Sequence, residues 1–308
     1  MTRARSAAST TTEPDPLAHL GKSARQQLDL PDAERMRIIK AGTWLELDHA
    51  RYVLDKMEEL LEHPIVTRMP NILLVGPSFS GKTSIIERFM QLHPPDLDPA
   101  GEATLCPVVQ VEAPYKPDIT DFFSRILHTL MSPYKPNAPT HEKYPQIKLL
   151  FQKMGVRMLI VDEIHHLIAG SLNRQREFRN ALKSLGNETK VCIVAAGTEE
   201  AYNAFAADPQ MSSRFVPYVL PKWSAGQDMG ILLASLEGRM PLKKASNLAS
   251  VEMMLEIDRR AEGPLGDVCD LVRTAGVEAI RSGTEQITLP LLQRLDWVPP
   301  SKRKAYPR

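Results

Sequence analysis

Residues Gly76 to Thr83 read GPSFSGKT. It follows the apolar run Asn71–Val75 and precedes a helical pattern that starts at Ser84. A GxxxxGK[ST] pattern between a strand and a helix is typical of a phosphate-binding loop, in which backbone N–H groups at a helix N-terminus face the phosphates. The sequence therefore predicts a binding site for nucleotide phosphates at this strand–helix junction.

The loop also predicts the contacts with the nucleotide. Lys82 is expected to reach the β- and γ-phosphates, and the hydroxyl of Thr83 is expected to bind Mg²⁺. The predicted cofactors are therefore ATP and Mg²⁺. The expected nucleotide contacts are Gly76, Pro77, Ser78, Phe79, Ser80, Gly81, Lys82, Thr83 and Ser84.

Two further apolar runs end in polar residues that suit hydrolysis. Arg157–Val161 is followed by Asp162, which can hold Mg²⁺, and by Glu163, which can deprotonate the attacking water. Lys190–Ala195 leads to Thr198, whose hydroxyl can contact the γ-phosphate or that water. Since no acceptor-substrate pocket is evident, the pattern favours a water-activated NTPase over a kinase.

Two histidines, His165 and His166, follow the carboxylates directly. Neighbouring side chains on one helix diverge, so we do not expect this pair to share a metal ion.

Composition indicates a globular protein without a membrane span. The 308 residues are 43% hydrophobic and 24% charged, with a formal net charge of +1, so any contact with nucleic acid must come from a local patch. The longest apolar runs fall well short of 18 residues. Cys106, Cys192 and Cys269 are odd in number and lie among apolar residues, which predicts buried thiols in a reducing compartment and a cytoplasmic protein.

Alternating patterns predict an α/β fold with a five-stranded parallel sheet flanked by helices. A small helical lid is expected to follow the sheet, because three helical patterns come after the last strand. The predicted strands are 71–75, 107–112, 156–161, 190–195 and 215–220, and the lid helices are 225–238, 250–261 and 265–281. The predicted domains are a disordered tail at 1–30, a nucleotide-binding core with N-terminal helices at 31–223, the lid at 224–297, and a basic tail at 298–308.

This architecture resembles the AAA+ ATPases, and three segments resemble the TniB family of transposition regulators, which is related to TnsC and MuB. The resemblance runs from about residue 30 to about residue 285. The segments are RMPNILLVGPSFSGKTSIIERF (68–89), LIVDEIHHLIAGSLNRQREFRNALKSLGNE (159–188) and AAGTEEAYNAFAADPQMSSRFVPYVLPKW (195–223).

The resemblance implies a DNA-linked function. Members assemble with ATP into helical homo-oligomers on double-stranded DNA, recruit a DDE-type transposase, and take part in target selection, which implies an adaptor protein as a further partner. The AAA+ pattern often has a sensor arginine near the start of a lid helix, and here Gly263–Asp267 contains none.

Arg214 is the candidate arginine finger. It follows Asp208–Ser213, a segment that we expect to form a projecting loop, and a guanidinium there could complete the site of a neighbouring subunit. The alternative is an ion pair with a carboxylate of its own chain.

Lysines in the loops after the second strand are the candidate DNA contacts. Lys116 follows Tyr115, and Lys135 lies in the Pro-rich connection 132–137; each could also be an ordinary solvated lysine. A second basic set, formed by Arg174, Arg176, Arg179 and Lys183, could serve DNA or a subunit interface.

Two other functions stay open. A helicase loader or replication initiator would share the core, although such proteins usually add a winged-helix domain for which little sequence follows the lid. A signalling switch that binds ATP without DNA would not need Glu163.

Overall fold

The computed structural model describes residues 15–96, 104–168 and 172–303, which form two compact units. The sheet unit comprises Glu46–Lys222 with Pro264–Gly266. The helical unit comprises the described residues of Met1–Leu45, Trp223–Gly263 and Asp267–Arg308.

The sheet has the predicted five parallel strands. They are β1 (Asn71–Val75), β2 (Val108–Glu112), β3 (Met158–Asp162), β4 (Cys192–Gly197) and β5 (Phe215–Val219), in the spatial order β2-β3-β4-β1-β5. The three central strands are buried along their whole length, because helices cover both faces of a parallel sheet. In the register, Val75 of β1 faces Gly197 of β4, and Val161 of β3 faces Ala195 of β4.

The helices, in chain order, are α1 (Lys22–Gln26), α2 (Asp32–Ala41), α3 (Asp48–Leu61), α4 (Lys82–Leu92), α5 (Ile119–Thr129), α6 (Thr140–Lys153), α7 (His165–Ile168), α8 (Leu172–Thr189), α9 (Glu199–Ala206), α10 (Pro209–Ser212), α11 (Gln227–Glu237), α12 (Val251–Ala261), α13 (Leu265–Arg281), α14 (Leu289–Arg294) and α15 (Pro300–Arg303). Several start at a clear signal in the sequence. Asp118 accepts hydrogen bonds from the first turn of α5, and Asp208 does the same for α10, where Pro209 takes the first helical position.

The core of the sheet unit is aromatic and aliphatic. The rings of Phe122 and Phe178 meet edge to face with centroids 5.2 Å apart, and Phe205 meets Phe215 in the same way at 5.0 Å. The predicted burial of the thiols is confirmed, since Cys106, Cys192 and Cys269 are all buried and free. Burial raises the pKa of the Cys192 and Cys269 thiols to about 11.

The N-terminal segment differs from the predicted disordered tail. Residues 15–30 contain α1, and Leu20 and Ala24 are buried in the helical unit, where the N–H of Gly21 donates to Gly238 O at 2.7 Å. The tail prediction is thus wrong for 15–30, because these apolar side chains have a surface to pack against. Residues 1–14 lie outside the described part of the chain. Helix α2 also groups with the helical unit, so the sheet unit begins at Glu46 and not at residue 31.

The C-terminal segment is likewise docked as far as Arg303. Glu262 accepts hydrogen bonds from the N–H and the hydroxyl of Ser301, and the Arg303 guanidinium lies 2.5 Å from the Asp267 carboxylate. The indole N–H of Trp297 donates to Arg260 O. The predicted free basic tail at 298–308 is therefore wrong for 298–303, while residues 304–308 lie outside the description.

The helices of the described residues include none that is both long enough and apolar enough for a membrane crossing.

Candidate active site

The P-loop lies where the sequence predicts it, between β1 and α4. Its first residue is tied to the sheet, because the N–H of Gly76 donates to Gly197 O at 3.1 Å. Gly81 has a φ of +93°, in the left-handed region that strains residues with a side chain, so glycine is required there. A Cβ on Gly76 would lie 2.5 Å from Ser80 Oγ, so this position has no room for a larger residue.

Lys82 points back onto its own loop. Its side chain is almost fully covered, at 5% exposure for the residue, and its ammonium donates to Gly76 O at 2.8 Å and to Pro77 O at 2.9 Å. Burial lowers the pKa of Lys82, and the nearby charges of Glu163 and Asp162 oppose that shift. Nearby, the buried Ser80 hydroxyl has no hydrogen-bond partner among the described residues. A donor that is held by carbonyls alone, beside an unsatisfied hydroxyl, suits an incoming phosphate.

Thr83 and Asp162 come together as a pair of oxygen ligands. The hydroxyl of Thr83 donates to Asp162 Oδ2 at 3.1 Å, although the two residues lie on different elements. Mg²⁺ prefers oxygen ligands and is usually bound through one or two protein groups together with phosphates and water. This donor set therefore fits the Mg²⁺ site that the sequence predicts.

Glu163 occupies a sharp turn directly after β3. Its φ of +54° is unusual for a residue with a side chain, and backbone strain of this kind is concentrated at functional sites. The turn is fixed on both sides, since Glu163 N donates to Asp162 Oδ1 and Ile164 N donates to Ala196 O, each at 2.8 Å. The carboxylate Oε2 lies 3.0 Å from His165 Nδ1.

Thr198 follows β4, the strand between β1 and β3, so it lies at the same edge of the sheet as the P-loop and the carboxylates. Its hydroxyl donates to Glu200 Oε2 at 3.1 Å. The hydroxyl would have to leave Glu200 before it could contact a γ-phosphate or water.

One contact of the P-loop is not evident from the sequence. Phe79 has a φ of +62° and is 65% exposed, and its carbonyl accepts a hydrogen bond from Gly266 N at 2.8 Å. A Cβ on Gly266 would lie 3.0 Å from Phe79 Cβ. The segment Pro264–Gly266, which lacks a sensor arginine, thus contacts the P-loop through its backbone. Pro77, Ser78 and Ser84 complete the predicted nucleotide contacts, and they lie within the loop or the first turn of α4.

Arg214 lies at the N-terminal end of the parallel strands, whereas the P-loop lies at their C-terminal end. It directly precedes β5, whereas the P-loop follows β1, and these neighbouring strands are parallel. Its guanidinium donates to Asn187 Oδ1 at 2.9 Å, and within the described residues no carboxylate forms an ion pair with it. Burial lowers the pKa of Arg214, and the charge of Arg68 adds to that shift. Arg214 therefore cannot serve the P-loop of its own chain.

The segment before Arg214 is a helix and not the predicted loop. Asp208 begins α10 by accepting hydrogen bonds from Gln210 N and Met211 N, and its carboxylate lies 3.0 Å from Arg179 Nε. Lys183 donates to Gln210 Oε1 at 2.5 Å. Arg179 and Lys183 of the second basic set thus hold α10 against α8, which leaves only Arg174 and Arg176 as exposed members.

The candidate DNA lysines are both exposed. Lys116 follows Tyr115, whose ring is 73% exposed and lies 5.2 Å from the His166 ring. Lys135 lies in a connection that α6 anchors, since Lys143 donates to Pro136 O and Gln146 donates to Ser132 Oγ, both at 2.8 Å. The anchoring gives the Lys135 backbone a defined position.

Comparison with known proteins identifies related sequences and folds. Residues 35–225 match the family described as Bacterial TniB protein, and no curated protein matches the chain. The Aeropyrum pernix ORC2 protein in ADPNP-ADP complexes superposes with a TM-score of 0.60 at 13% identity, over 84% of this chain and 70% of that one. Cdc6p from Pyrobaculum aerophilum gives 0.54 at 14%, over 82% and 67%. Drosophila ORC bound to DNA gives 0.55 at 14%, over 96% and 68%. At these identities the likeness concerns the fold, and it confirms the predicted AAA+ architecture.

Proposed function

Because this chain belongs to the TniB family, we propose that it uses ATP to assemble on double-stranded DNA and to recruit a DDE-type transposase to the target. The family and the fold make the chain an ATPase of the AAA+ type. Assembly, DNA binding and recruitment are the proposal.

The nucleotide would bind along the edge of the sheet formed by the ends of β1, β3 and β4. Lys82 would exchange its two loop carbonyls for phosphate oxygens, which are stronger acceptors because they carry charge. Thr83 and Asp162 would hold Mg²⁺, which supplies charge neutralisation of the β- and γ-phosphates when bound. Glu163 would take the proton of the attacking water, and Thr198 would orient that water or the γ-phosphate.

The placement of Arg214 carries the proposal of assembly. A transition state with charge on the γ-phosphate oxygens is stabilised by a guanidinium, and here the candidate lies on the far edge of the sheet from its own P-loop. Its protein partner is the neutral Asn187, so it keeps a full charge to offer to a second chain. A neighbouring subunit would thus complete each site.

DNA would be held by the exposed Lys116 and Lys135. The formal net charge of +1 gives no general attraction to phosphates, so affinity must come from several lysines brought into register when subunits stack. Contacts of this kind go to the DNA backbone and therefore confer little sequence preference. Recruitment of the transposase and of a target-selection adaptor is supported by family membership alone.

Turnover with and without duplex DNA tests the proposal. Arg214→Ala should bind ATP normally and lose DNA-stimulated hydrolysis, by about a thousandfold if it acts as fingers do elsewhere. Arg68→Ala is the matched control, since it removes an exposed positive charge near Arg214. Equal losses in both variants would attribute the effect to surface charge and would contradict a finger role.

Turnover with and without duplex DNA separates the non-DNA switch, and binding to partner proteins separates the helicase loader. A non-DNA switch predicts hydrolysis that does not respond to duplex DNA. A helicase loader predicts binding to a replicative helicase and no stimulation of a transposase. The likeness to ORC and Cdc6 proteins does not favour the loader, because identities of 13–14% concern the fold only.

A further inference from the structure

Glu163, His165 and His166 form a compact cluster at the end of β3. One ligand atom from each residue lies within 4.8 Å of the other two. Glu163 Oε2 lies 3.0 Å from His165 Nδ1, and the centroids of the two imidazole rings lie 4.4 Å apart. The expectation that the adjacent histidines diverge is therefore wrong.

The backbone explains why the three side chains converge. Glu163 takes a left-handed backbone conformation directly after β3, and α7 begins only at His165. The histidines thus stand at the very start of a helix, directly after the turn, and not on successive positions of a long helix body. Their ligand atoms therefore lie close to that of Glu163, which comes just before the helix.

The cluster contains nitrogen atoms that could bind a metal ion and that form no hydrogen bond within the described part of the chain. The Nδ1 atoms of His165 and His166 are both buried and form no hydrogen bond with the described residues; the Glu163 carboxylate lies 3.0 Å from His165 Nδ1 but is not aligned for one. Buried polar atoms are nearly always satisfied, so unsatisfied ones call for a ligand or an ion. The Tyr115 ring contacts the His166 ring, with centroids 5.2 Å apart.

From this arrangement we propose that Glu163, His165 and His166 bind one Zn²⁺ ion. Two imidazole nitrogens and one carboxylate oxygen are ligands that zinc accepts, with water in the fourth position, whereas Mg²⁺ selects oxygen ligands. Ligand atoms around a tetrahedral zinc ion lie about 3.3 Å apart, given metal–ligand distances of about 2.0 Å. Side-chain rotations of modest size would bring the three atoms from within 4.8 Å to that spacing.

Zinc at this position would act as a brake on turnover. The ion takes the carboxylate of Glu163 and so removes the proposed base, while Lys82, Thr83 and Asp162 lie outside the cluster and remain free to bind ATP with Mg²⁺. The zinc-bound protein would hold ATP without hydrolysing it. The braking effect rests on the proposed role of Glu163, but the binding of zinc does not.

Titration calorimetry of the full chain with Zn²⁺ in excess Mg²⁺ tests the binding. We expect one ion per chain, and at least a tenfold loss of affinity in each of His165→Gln and His166→Gln. The control is His141→Gln, which alters an exposed histidine on α6 and should leave zinc affinity unchanged. Equal affinity in all four proteins would place the ion elsewhere and overturn the proposal.

Co²⁺ supplies a second readout that needs no variant. Bound in a site of low coordination number with two nitrogen ligands, it should give strong visible absorption that Zn²⁺ displaces and Mg²⁺ does not. Absence of that absorption at saturating Co²⁺ would overturn the site even if a histidine variant failed to fold. If the site binds zinc but hydrolysis continues undiminished, zinc binding stands and the proposed role of Glu163 falls.

Discussion

Replacing Arg35 with methionine should destabilise the helical unit more than any exposed change in it. Arg35 is 1% exposed, and its guanidinium donates to Glu285 Oε2 at 2.8 Å and Oε1 at 2.6 Å, to Pro241 O at 2.9 Å, and to Asp32 Oδ1 at 2.7 Å. The residue therefore joins α2 to segments more than two hundred positions away in the sequence.

The size of the effect follows from these bonds. A hydrogen bond to a charged group contributes about 1.5–3 kcal/mol, and removal of one member of a buried ion pair costs about 3–5 kcal/mol. In Arg35→Met, the Glu285 carboxylate would keep two contacts with Lys243, the backbone N–H at 3.3 Å and the side-chain ammonium at 3.8 Å. We therefore place the loss of unfolding free energy at the lower end of the ion-pair range, about 3 kcal/mol. Asp32→Asn is the matched control, because the Asp32 side chain is 66% exposed and an ion pair to an exposed carboxylate contributes little to stability.

Tryptophan fluorescence during urea unfolding measures this loss selectively. The chain has three tryptophans, Trp44, Trp223 and Trp297, and all belong to the helical unit. With a denaturant slope of about 2 kcal/mol/M, a loss of about 3 kcal/mol lowers the midpoint by about 1.5 M. Adding Glu285→Gln to Arg35→Met should recover about 1 kcal/mol or more, because it removes the carboxylate left without its partner.

The pH dependence gives an independent check. The Arg35 hydrogen bonds hold the pKa of Glu285 below its usual value, with burial opposing them. A lowered pKa contributes stability that is present above the pKa of the unfolded state and is lost as the pH falls through that of the folded state. The difference between the wild type and Arg35→Met should therefore shrink in acid. A loss below about 1 kcal/mol at neutral pH, or a difference that grows in acid, would refute the reasoning.

Three further outcomes concern the nucleotide site, its completion in trans, and DNA binding. Lys82→Ala should lose ATP binding while Glu163→Gln keeps it and stops turnover; equal nucleotide affinity of Lys82→Ala and the wild type, measured by calorimetry, would contradict the assigned site. Mixing Arg214→Ala with Glu163→Gln should restore some DNA-stimulated hydrolysis, since some interfaces then combine an intact finger with an intact base; a mixture as inactive as its components would argue against action in trans. Lys116→Ala should weaken duplex binding on every sequence alike and reduce the salt dependence by about one counterion, as anisotropy across a salt series would show; a sequence-dependent loss would point to base contacts instead.

Most of the fold was predictable because its signals are local. The strands are apolar runs, and each predicted strand lies within two residues of its position in the structure. Helix α6 was missed because it is rich in polar residues and contains Pro145, while only a few of its side chains, such as Ile147 and Phe151, face the core. The docking of both terminal segments depends on pairs such as Arg303 with Asp267, which are distant in the sequence and leave no periodic pattern.

Some features of the candidate site also follow from local sequence, and others do not. The P-loop is a continuous motif, so its position follows from the sequence, and the pairing of Thr83 with Asp162 follows from two strands ending at one edge. The convergence of His165 and His166 could not be predicted from the sequence. It depends on a left-handed φ at Glu163, and glutamate has no preference for that conformation. The docking of Gly266 on Phe79 has a weak signal in the Gly263–Asp267 segment, whose two glycines permit close backbone approach.

Helix α8 runs between the two ends of the parallel strands, one of which carries the P-loop and the other Arg214. It starts shortly after Glu163, at the edge that carries the P-loop, and ends at Thr189, just before β4 begins at the other edge. Near that far end it supplies Asn187 to the Arg214 guanidinium and Lys183 to Gln210 of α10, so α8 contacts both the candidate finger and the helix before it. Its 18 residues span about 27 Å at a rise of about 1.5 Å per residue, which makes it a rigid link across the unit. If Arg214 acts in trans as proposed, a shift of α8 caused by nucleotide at one site would move the arginine that completes the next site. Hydrolysis along an assembly would then be coupled from subunit to subunit without any change in the sheet.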